Sequence, residues 1–305
     1  MAENIIKNRS EILFLYDVKD ANPNGDPVDE NKPRIDEETG VNIVTDVRLK
    51  RTIRDYFHNY KGLEIFVIEH RDEKGNLKTK EKRLADFNND PEEIKKRCID
   101  IRLFGATTAV EEKTMALTGP VQFKYGRSLH KVDMTYIKGT TVMPSATEKK
   151  QGTFTERYIL PYSLIAFYGV VNENAAKEQN INLTDQDIEL MLEAIWNGTK
   201  NLISGSKFGQ MPRFLLQIVH RAGNFYIAEL DKYISIKSEK NDEAIRDIID
   251  VKIDVTNLIN ALHRHKDKIE KIRLKVDERA NFISNGQSIE LTKALSEFLL
   301  ETLNF

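Results

Sequence analysis

Residues 16–56 carry the sequence YDVKDANPNGDPVDENKPRIDEETGVNIVTDVRLKRTIRDY, in which a turn-rich acidic loop leads into a basic segment of helical pattern. The cluster NPNGDP at 22–27 contains residues that interrupt both helices and strands, so the backbone must turn there. Residues 11–18 are rich in apolar and aromatic side chains and predict a buried strand just before the loop. A strand, a long loop and a basic helix in this order can build a surface for a phosphate backbone.

The basic segment is predicted to be an amphipathic helix with Thr45 as its N-cap. Apolar and aromatic residues recur along it at spacings of three and four, which places them on one face: Leu49, Ile53, Tyr56, Phe57 and Tyr60. A neighbouring face carries Lys50, Arg51, Arg54 and His58. Such a helix can bury one side while it offers cations from the other.

The composition is that of a globular protein of 305 residues, with 40% hydrophobic and 31% charged residues. No apolar run approaches the roughly 18 residues of a membrane span, and the first ten residues lack the apolar core of a signal peptide. We therefore expect a cytoplasmic protein with no membrane partner.

Although the net charge of the chain is -2, the formal charges of residues 17–38 sum to -5 and those of residues 113–150 to +5. This uneven distribution favours binding to a polyanion or to other copies of the chain.

The rest of the chain alternates between extended and helical patterns. A hairpin is predicted from 63–70 and 77–83, a helix from Asp90, and a second helix from Thr184 with a capping box closed by Asp187. Further extended segments are predicted at 156–171, 214–220, 224–230, 248–255 and 272–276, and further helices at 258–269 and 288–303. The single cysteine, Cys98, falls on an apolar helix face and is expected to be a buried thiol.

The order strand, helix, hairpin strands, helix and strand predicts an α+β protein. An antiparallel sheet with helices on one face buries these apolar patterns economically. The predicted fold is a ferredoxin-like or RNA-recognition-motif-like core in a single domain, 1–305, with large insertions as peripheral lobes. Glycine-punctuated residues 104–152 form one such insertion.

No catalytic constellation emerges from the spacing of the residues. The six histidines are scattered, and the chain contains no CxxC pair, no Walker lysine loop and no GxSxG motif. We therefore expect a protein that is not an enzyme and that needs no metal and no cofactor.

Basic residues beside turn glycines favour phosphate binding instead. One such element contains Gly205, Ser206, Lys207, Gly209 and Arg213, although Gly205 can equally be the C-cap of the preceding helix. A second element lies in the basic insertion and contains Gly126, Arg127 and His130. The aromatic residues near it, Phe123, Tyr125 and Tyr136, can either stack on bases or fill a small β-rich lobe.

Several of these segments resemble the CRISPR-associated Cas7 family when they are taken together and in order. They are NPNGDP at 22–27, PRIDEETG at 33–40, TDVRLKRTIRDY at 45–56, DIRLFG at 100–105 and GPVQFKYGRSLH at 119–130. The resemblance runs from about Asn8 to Arg221 and is closest to the backbone subunit of type I Cascade, in its B subtype first and its C subtype next.

The resemblance implies a hand-shaped protein with an RNA-recognition-motif-like palm. Copies would polymerise helically along a CRISPR RNA guide beside other Cascade subunits and present the guide to a target DNA strand. Residues 61–104 would be a finger-like insertion, and residues 105–153 a thumb-like, β-rich insertion that contacts the neighbouring copy's guide segment. The implied RNA-binding residues are Asn24, Arg48, Lys50, Arg51, Arg54, Arg127, His130, Lys138, Lys207 and Arg213.

Two other functions stay open. Related backbone subunits of type III complexes cut bound RNA with a loop aspartate, and Asp26 or Asp20 occupies a comparable loop here. A general single-stranded RNA-binding protein is the second alternative. For the helical filament that the resemblance implies, the acidic loop 17–38 and the acidic stretch 173–193 are candidate surfaces for a neighbouring copy.

Overall fold

The computed structural model describes residues 4–110, 113–140 and 154–305. Residues 111–112 and 141–153, which belong to the predicted thumb, lie outside the described residues. The strands are β1 (Ser10–Ala21), β2 (Gly25–Asp26), β3 (Lys32–Pro33), β4 (Val41–Val44), β5 (Gly105–Val110), β6 (Lys113–Thr118), β7 (Val121–Phe123), β8 (Gly126–Lys131), β9 (Thr135–Thr140), β10 (Phe154–Val171), β11 (Gln210–His220), β12 (Ser235–Lys237), β13 (Lys252–Asp254), β14 (Ile269–Val276), β15 (Phe282–Ser284), β16 (Gln287–Ile289) and β17 (Leu300–Thr302). The α-helices are α1 (Asp46–Lys61), α2 (Lys80–Ala85), α3 (Pro91–Arg97), α4 (Ile99–Phe104), α5 (Glu173–Glu178), α6 (Asp185–Lys200), α7 (Thr256–Arg264) and α8 (Leu291–Ala294).

A large, mainly antiparallel sheet, nine-stranded within the described residues, forms the centre of the protein. Its strand order is β17-β14-β11-β1-β10-β8-β4, and β7 and β9 also pair with β10. The long strand β1 lies near the middle and is antiparallel to both of its neighbours, β10 and β11. At one edge, β17 runs parallel to β14. The predicted α+β class and the predominance of antiparallel pairing are confirmed.

The two long helices begin where the sequence predicts. The Thr45 side chain accepts a hydrogen bond from the backbone N–H of Arg48 and caps α1. Thr184 and Asp187 close a reciprocal capping box at the start of α6. Because a cap satisfies backbone N–H groups that the helix leaves unpaired, these local signals fix the helix starts.

Each face of the central sheet carries its own hydrophobic core, since side chains alternate along a strand. Phe14 and Tyr16 of β1 pack with α1 and α6 on one face. Leu13 and Leu15 point to the other face and pack with the C-terminal region, including α7, β13 and β15. The expectation that the helices lie on one face is therefore wrong, because α7 packs on the second face and the C-terminal region forms a third layer.

The C-terminal region departs most from the sequence predictions. Residues 224–230 do not form the predicted strand, and the predicted closing helix over 288–303 is replaced by β16, α8 and β17. The apolar residues Leu291, Leu295 and Phe298 have helical spacing, but they fill the core under the sheet while β17 pairs with β14. Tertiary pairing has overridden the local pattern here.

A buried carboxylate joins this C-terminal region to β1. Glu11 is fully buried and accepts hydrogen bonds from the Tyr168 hydroxyl, the His220 Nε2 and the backbone N–H groups of Ile227 and Ala228, each at 2.7 Å. The segment after β11 is thereby held across the sheet by one side chain.

The predicted finger, 61–104, contains helices instead of the predicted hairpin. Residues 72–76 do form a tight turn, but α2 begins at Lys80 where a strand was expected, so the hairpin prediction is wrong. The segment has a small core of its own: Phe66, Leu84, Phe87, Ile94, Cys98 and Ile101. Cys98 is buried, as expected. Burial raises the pKa of its thiol to about 12, which leaves it unreactive.

The predicted thumb, 105–153, is divided among several places in the fold. β5 and β6 form a separate two-stranded antiparallel sheet, and β7 and β8 belong to the central sheet. β9 pairs with the first part of β10 as a two-stranded ribbon. We call β9 with residues 154–159 of β10 the ribbon. The finger and thumb boundaries stay predictions.

Candidate nucleic-acid interface

Two loops and the start of α1 meet at the end of β1. The backbone N–H of Lys19 donates to the Gly209 carbonyl at 3.0 Å, and that of Asn22 donates to the Ser206 carbonyl at 2.8 Å. The Asn24 side chain accepts from the backbone N–H and the hydroxyl of Thr45, at 2.8 and 2.9 Å. Asn24, a predicted RNA contact, therefore fixes the turn before α1.

This junction holds two half-buried cations, Arg48 and Lys207. The Lys207 Nζ donates to the Asn22 carbonyl at 3.2 Å, and an Arg48 Nη donates to the Thr52 hydroxyl at 3.0 Å. Within the described residues, neither cation has a carboxylate at ion-pair distance, although many other Lys and Arg side chains do. We call this feature the cation pair.

The electrostatics of the cation pair favour an anion. Burial, and then the charge of Arg48, lower the pKa of Lys207 below its usual value. Burial also lowers the pKa of Arg48. Removing a charge from water without a counter-ion is costly, and an anion at this position would offset that cost.

Two polar atoms beside the cation pair are shielded from solvent and have no hydrogen-bond partner among the described residues. They are the Nε of Arg48 and the Oδ1 of Asn22, whose residue is 2% exposed. An unpaired donor and an unpaired acceptor thus accompany the two cations at this junction. Phosphate oxygens, which accept several hydrogen bonds at once, match the donors of this set.

The ribbon contacts both loops of the junction that holds the cation pair. On one side of the ribbon, an Arg157 Nη donates to the Gly205 carbonyl at 2.7 Å. On the other side, the Tyr158 hydroxyl donates to Glu30 at 2.9 Å, and the Lys32 ammonium lies 5.4 Å from the Tyr158 ring centre. Both loops that build the junction therefore also hold the base of the ribbon.

Exposed aromatic and apolar side chains border this region. Phe208, next to Lys207 in sequence, is 67% exposed, and Tyr136 on the ribbon is 47% exposed. Such side chains are unfavourable in water and are available for stacking on bases.

Three predicted contacts on α1 have partners within the chain. Lys50 pairs with Asp46 at 2.8 Å, Arg51 pairs with Asp55 at 2.7 Å, and Arg54 pairs with the fully buried Asp100 at 3.0 Å. Asp100 also accepts from the backbone N–H groups at 66 and 67, so Arg54 anchors the finger segment to α1. Of these three cations, Arg51 is the one that remains substantially exposed.

The other predicted contacts lie apart from the junction or inside the protein. Arg213 is buried between Asp17 and Asp277. His130 is 3% exposed, and its ring accepts from the backbone N–H of Leu164. Burial lowers its pKa, which favours this neutral form. Arg127 pairs with Asp36, and Lys138 lies on the ribbon near Glu156.

Sequence reasoning missed three residues of the junction. Asn22 was treated as part of a turn, Phe208 as a loop residue, and Arg157 as part of a strand. The position of Phe208 between Lys207 and Gly209 was the signal that could have been used, because an aromatic side chain beside a cation can stack on a base.

Comparison with known proteins then identifies the family. A family model for CRISPR-associated protein Cas7 matches residues 8–256. This chain belongs to the Cas7 family. A curated Cas7 relative from Haloferax volcanii is 32% identical over 315 residues, which cover 92% of this chain and 91% of that protein. The family model matches well beyond the motifs quoted above, which lie within residues 22–130.

Two solved structures share the fold of this Cas7 family member. One, described as a CRISPR RNA-guided surveillance complex in a pre-nicking state, superposes with a TM-score of 0.56 at 13% identity over 97% of this chain and 96% of its own. The other, a CRISPR RNA-guided surveillance complex, gives 0.55 at 14% identity over 97% and 95%. At these identities the likeness concerns the fold.

The described residues form neither a cluster of metal ligands nor a membrane-spanning helix. Across residues 4–110, 113–140 and 154–305, no group of three or more His, Cys, Asp or Glu side chains is arranged to hold a metal ion. In the same ranges, no helix is long and apolar enough to cross a bilayer.

Proposed function

We propose that this protein is the CRISPR RNA-binding backbone subunit of a type I Cascade complex, of the B subtype or, as second choice, the C subtype. Copies polymerise helically along the guide in the cytoplasm, beside other Cascade subunits, and present it to target DNA in antiviral defence. The cation pair carries this proposal, because two half-buried cations without a carboxylate partner among the described residues suit a phosphate backbone. Family membership and the two guide-containing neighbours support RNA as the polyanion.

We further propose that the palm is RNA-recognition-motif-like. The support is the order of these elements along the chain: β1, α1, β8, β10, α6 and β11. The four strands among them lie side by side in the sheet, in the order β11-β1-β10-β8. An RNA-recognition motif usually stacks bases on its open sheet face. Here that face is covered by the C-terminal region, so we place the guide at the loop edge, on the cation pair.

Binding in this proposal is independent of sequence. Arg48 and Lys207 contact phosphate, Arg51 and Lys138 add more distant positive charge, and base pairing with the target supplies specificity. Arg54, Arg213 and His130 act by holding the fold, since each is engaged inside the protein.

The contact between neighbouring copies is proposed to use the exposed part of the acidic loop. Asp26, Asp29 and Asp36 already pair with cations of the same chain. Glu37 and Glu38 are exposed at the tip and are the residues we assign to the neighbour's basic surface.

Sequencing the RNA that co-purifies with the protein and its partner subunits tests the proposed function. We expect RNAs of uniform length that carry CRISPR repeat and spacer sequence. Mixed RNAs without repeat sequence would assign the protein to general single-stranded RNA binding, and an RNA-free complex would contradict the proposal.

We propose that the protein does not cut RNA. Asp26, the candidate catalytic aspartate, pairs with Arg34 at 2.6 Å and accepts from the backbone N–H of Val28 at 3.0 Å, which suits a residue that shapes the loop. Complementary labelled RNA added to the complex with Mg²⁺ should stay intact for both the wild type and Asp26→Asn. Cleavage at regular intervals by the wild type that is lost in Asp26→Asn would establish the nuclease function instead.

A further inference from the structure

A groove of about 470 Å³ runs between α1 and the C-terminal end of α6. Six of its residues matter for what it can bind: Thr52, Asp55, Asn59, Tyr60, Asn201 and Ile203. Its volume is in the range of small-molecule sites in proteins, roughly 300 to 1,000 Å³. Neither the proposed phosphate contacts nor the proposed contact between copies uses this groove.

Thr52 connects the groove to Arg48 of the cation pair. Arg48 and Thr52 lie one turn apart on α1 and are joined by a hydrogen bond, and Asn59 follows on the same row of the helix. Because an α-helix rises about 1.5 Å per residue, Tyr60 lies roughly 18 Å along α1 from Arg48. An RNA with a phosphate on Arg48 would therefore reach Tyr60 with a base further along the strand.

An aromatic platform is fixed at the far end of the groove. The Tyr60 ring stacks on Tyr56 with the ring centres 5.1 Å apart and a 17° angle between planes. Tyr56 is itself held, because its hydroxyl donates to Glu193 at 2.7 Å. Tyr60 remains 55% exposed, so its outer face is oriented in advance and open to a planar partner.

The polar side chains of the groove suit a nucleobase better than a second phosphate. Asn59 is exposed and can donate and accept hydrogen bonds, as base edges require. The Asn201 side chain donates to the Asn197 carbonyl, which leaves its own oxygen as an acceptor. The Asp55 carboxylate would repel a phosphate, whereas it can accept from the amino group of a base.

We propose that this groove is a nucleobase site, in which Tyr60 stacks on an unpaired base of the RNA whose phosphate lies on the cation pair. This inference rests on the proposed function and adds a base-binding component to a site otherwise described by charge. Gly198 keeps the groove wall close to α1, because a Cβ there would lie 3.1 Å from the Tyr56 side chain.

The test compares single-stranded RNA with an abasic RNA of the same length, both bound by wild type, Tyr60→Ala and Tyr60→Phe. Tyr60→Ala should weaken binding of ordinary RNA by about 5- to 100-fold, the usual effect of losing one stacking side chain. It should leave abasic RNA binding unchanged, and Tyr60→Phe should bind like the wild type.

Three outcomes would contradict the nucleobase site or the proposed function. An unchanged affinity of Tyr60→Ala for ordinary RNA, or an equal loss for both RNAs, would overturn the nucleobase site while the proposed function stands. A change in self-association without RNA, at unaltered RNA affinity, would assign the groove to a protein contact. A wild type that binds neither RNA would reject the proposed function itself.

Discussion

The Glu11→Ala variant is expected to lose about 3 to 5 kcal/mol of unfolding free energy, the usual cost of removing one partner from a buried charged network. Glu11 is fully buried, and its carboxylate is the acceptor for four donors from three parts of the chain. Without it, the Tyr168 hydroxyl, the His220 ring and two backbone N–H groups would have no acceptor in a site closed to water.

Chemical denaturation of the Glu11→Ala variant measures this loss. Glu278→Ala is the matched control, because Glu278 is exposed and its replacement should change stability by less than about 0.5 kcal/mol. A Glu11→Ala protein within about 1 kcal/mol of the wild type would refute the account of how the C-terminal region is held on the sheet.

The same residue predicts part of the pH dependence of stability. Burial alone would raise the pKa of Glu11, but the hydrogen bonds from His220 and Tyr168 outweigh it and hold the pKa below 4.5. The stabilisation is therefore fully present above about pH 4.5 and lost as the pH falls through the lower, folded-state value. Glu11→Ala should lose less stability than the wild type over that acidic window.

The double variant Arg48→Gln, Lys207→Gln is expected to bind guide RNA at least roughly 100-fold more weakly than the wild type. Hydrogen bonds to charged groups contribute about 1.5 to 3 kcal/mol each, and each 1.4 kcal/mol corresponds to tenfold in affinity. Both residues are half-buried and without carboxylate partners among the described residues, so the uncharged amides should not disrupt internal ion pairs.

Titration of fluorescent guide RNA at constant salt measures this effect. The control variant Arg264→Gln, Lys293→Gln removes the same charge from the C-terminal region, on the far side of the sheet from α1. It should bind almost as well as the wild type. Equal losses in the two double variants would mean that total charge, and not the cation pair, controls binding.

The elements that sequence predicted correctly are those with strong local signals. Thr45 and Thr184 precede apolar residues of helical spacing, and β1 and β10 are long apolar runs. The segment 288–303 shows the limit of such reasoning. Its apolar residues have helical spacing, yet β17 pairs with β14, a strand that is distant in sequence.

The candidate site was also predicted only in part, because contacts between residues distant in sequence decide which cations stay available. Arg48 and Lys207 were predicted as RNA contacts on two separate elements, and the structure brings both to the junction at the end of β1. Their contact with RNA stays a prediction, and sequence could not separate them from cations with internal partners. Arg54 pairs with Asp100, 46 residues away, and Arg213 pairs with Asp277, 64 residues away. Those carboxylates meet the cations only in the folded chain, so charge in the sequence overestimates charge at the surface.

The salt dependence of guide RNA binding shows whether the cation pair holds the phosphate backbone. A phosphate contact to a single strand contributes about 0.7 to the slope of log affinity against log salt concentration. We predict that the slope for the Arg48→Gln, Lys207→Gln variant is shallower than that of the wild type by about 1.4, for two lost contacts. An identical slope in variant and wild type would show that the cation pair does not hold the phosphate backbone.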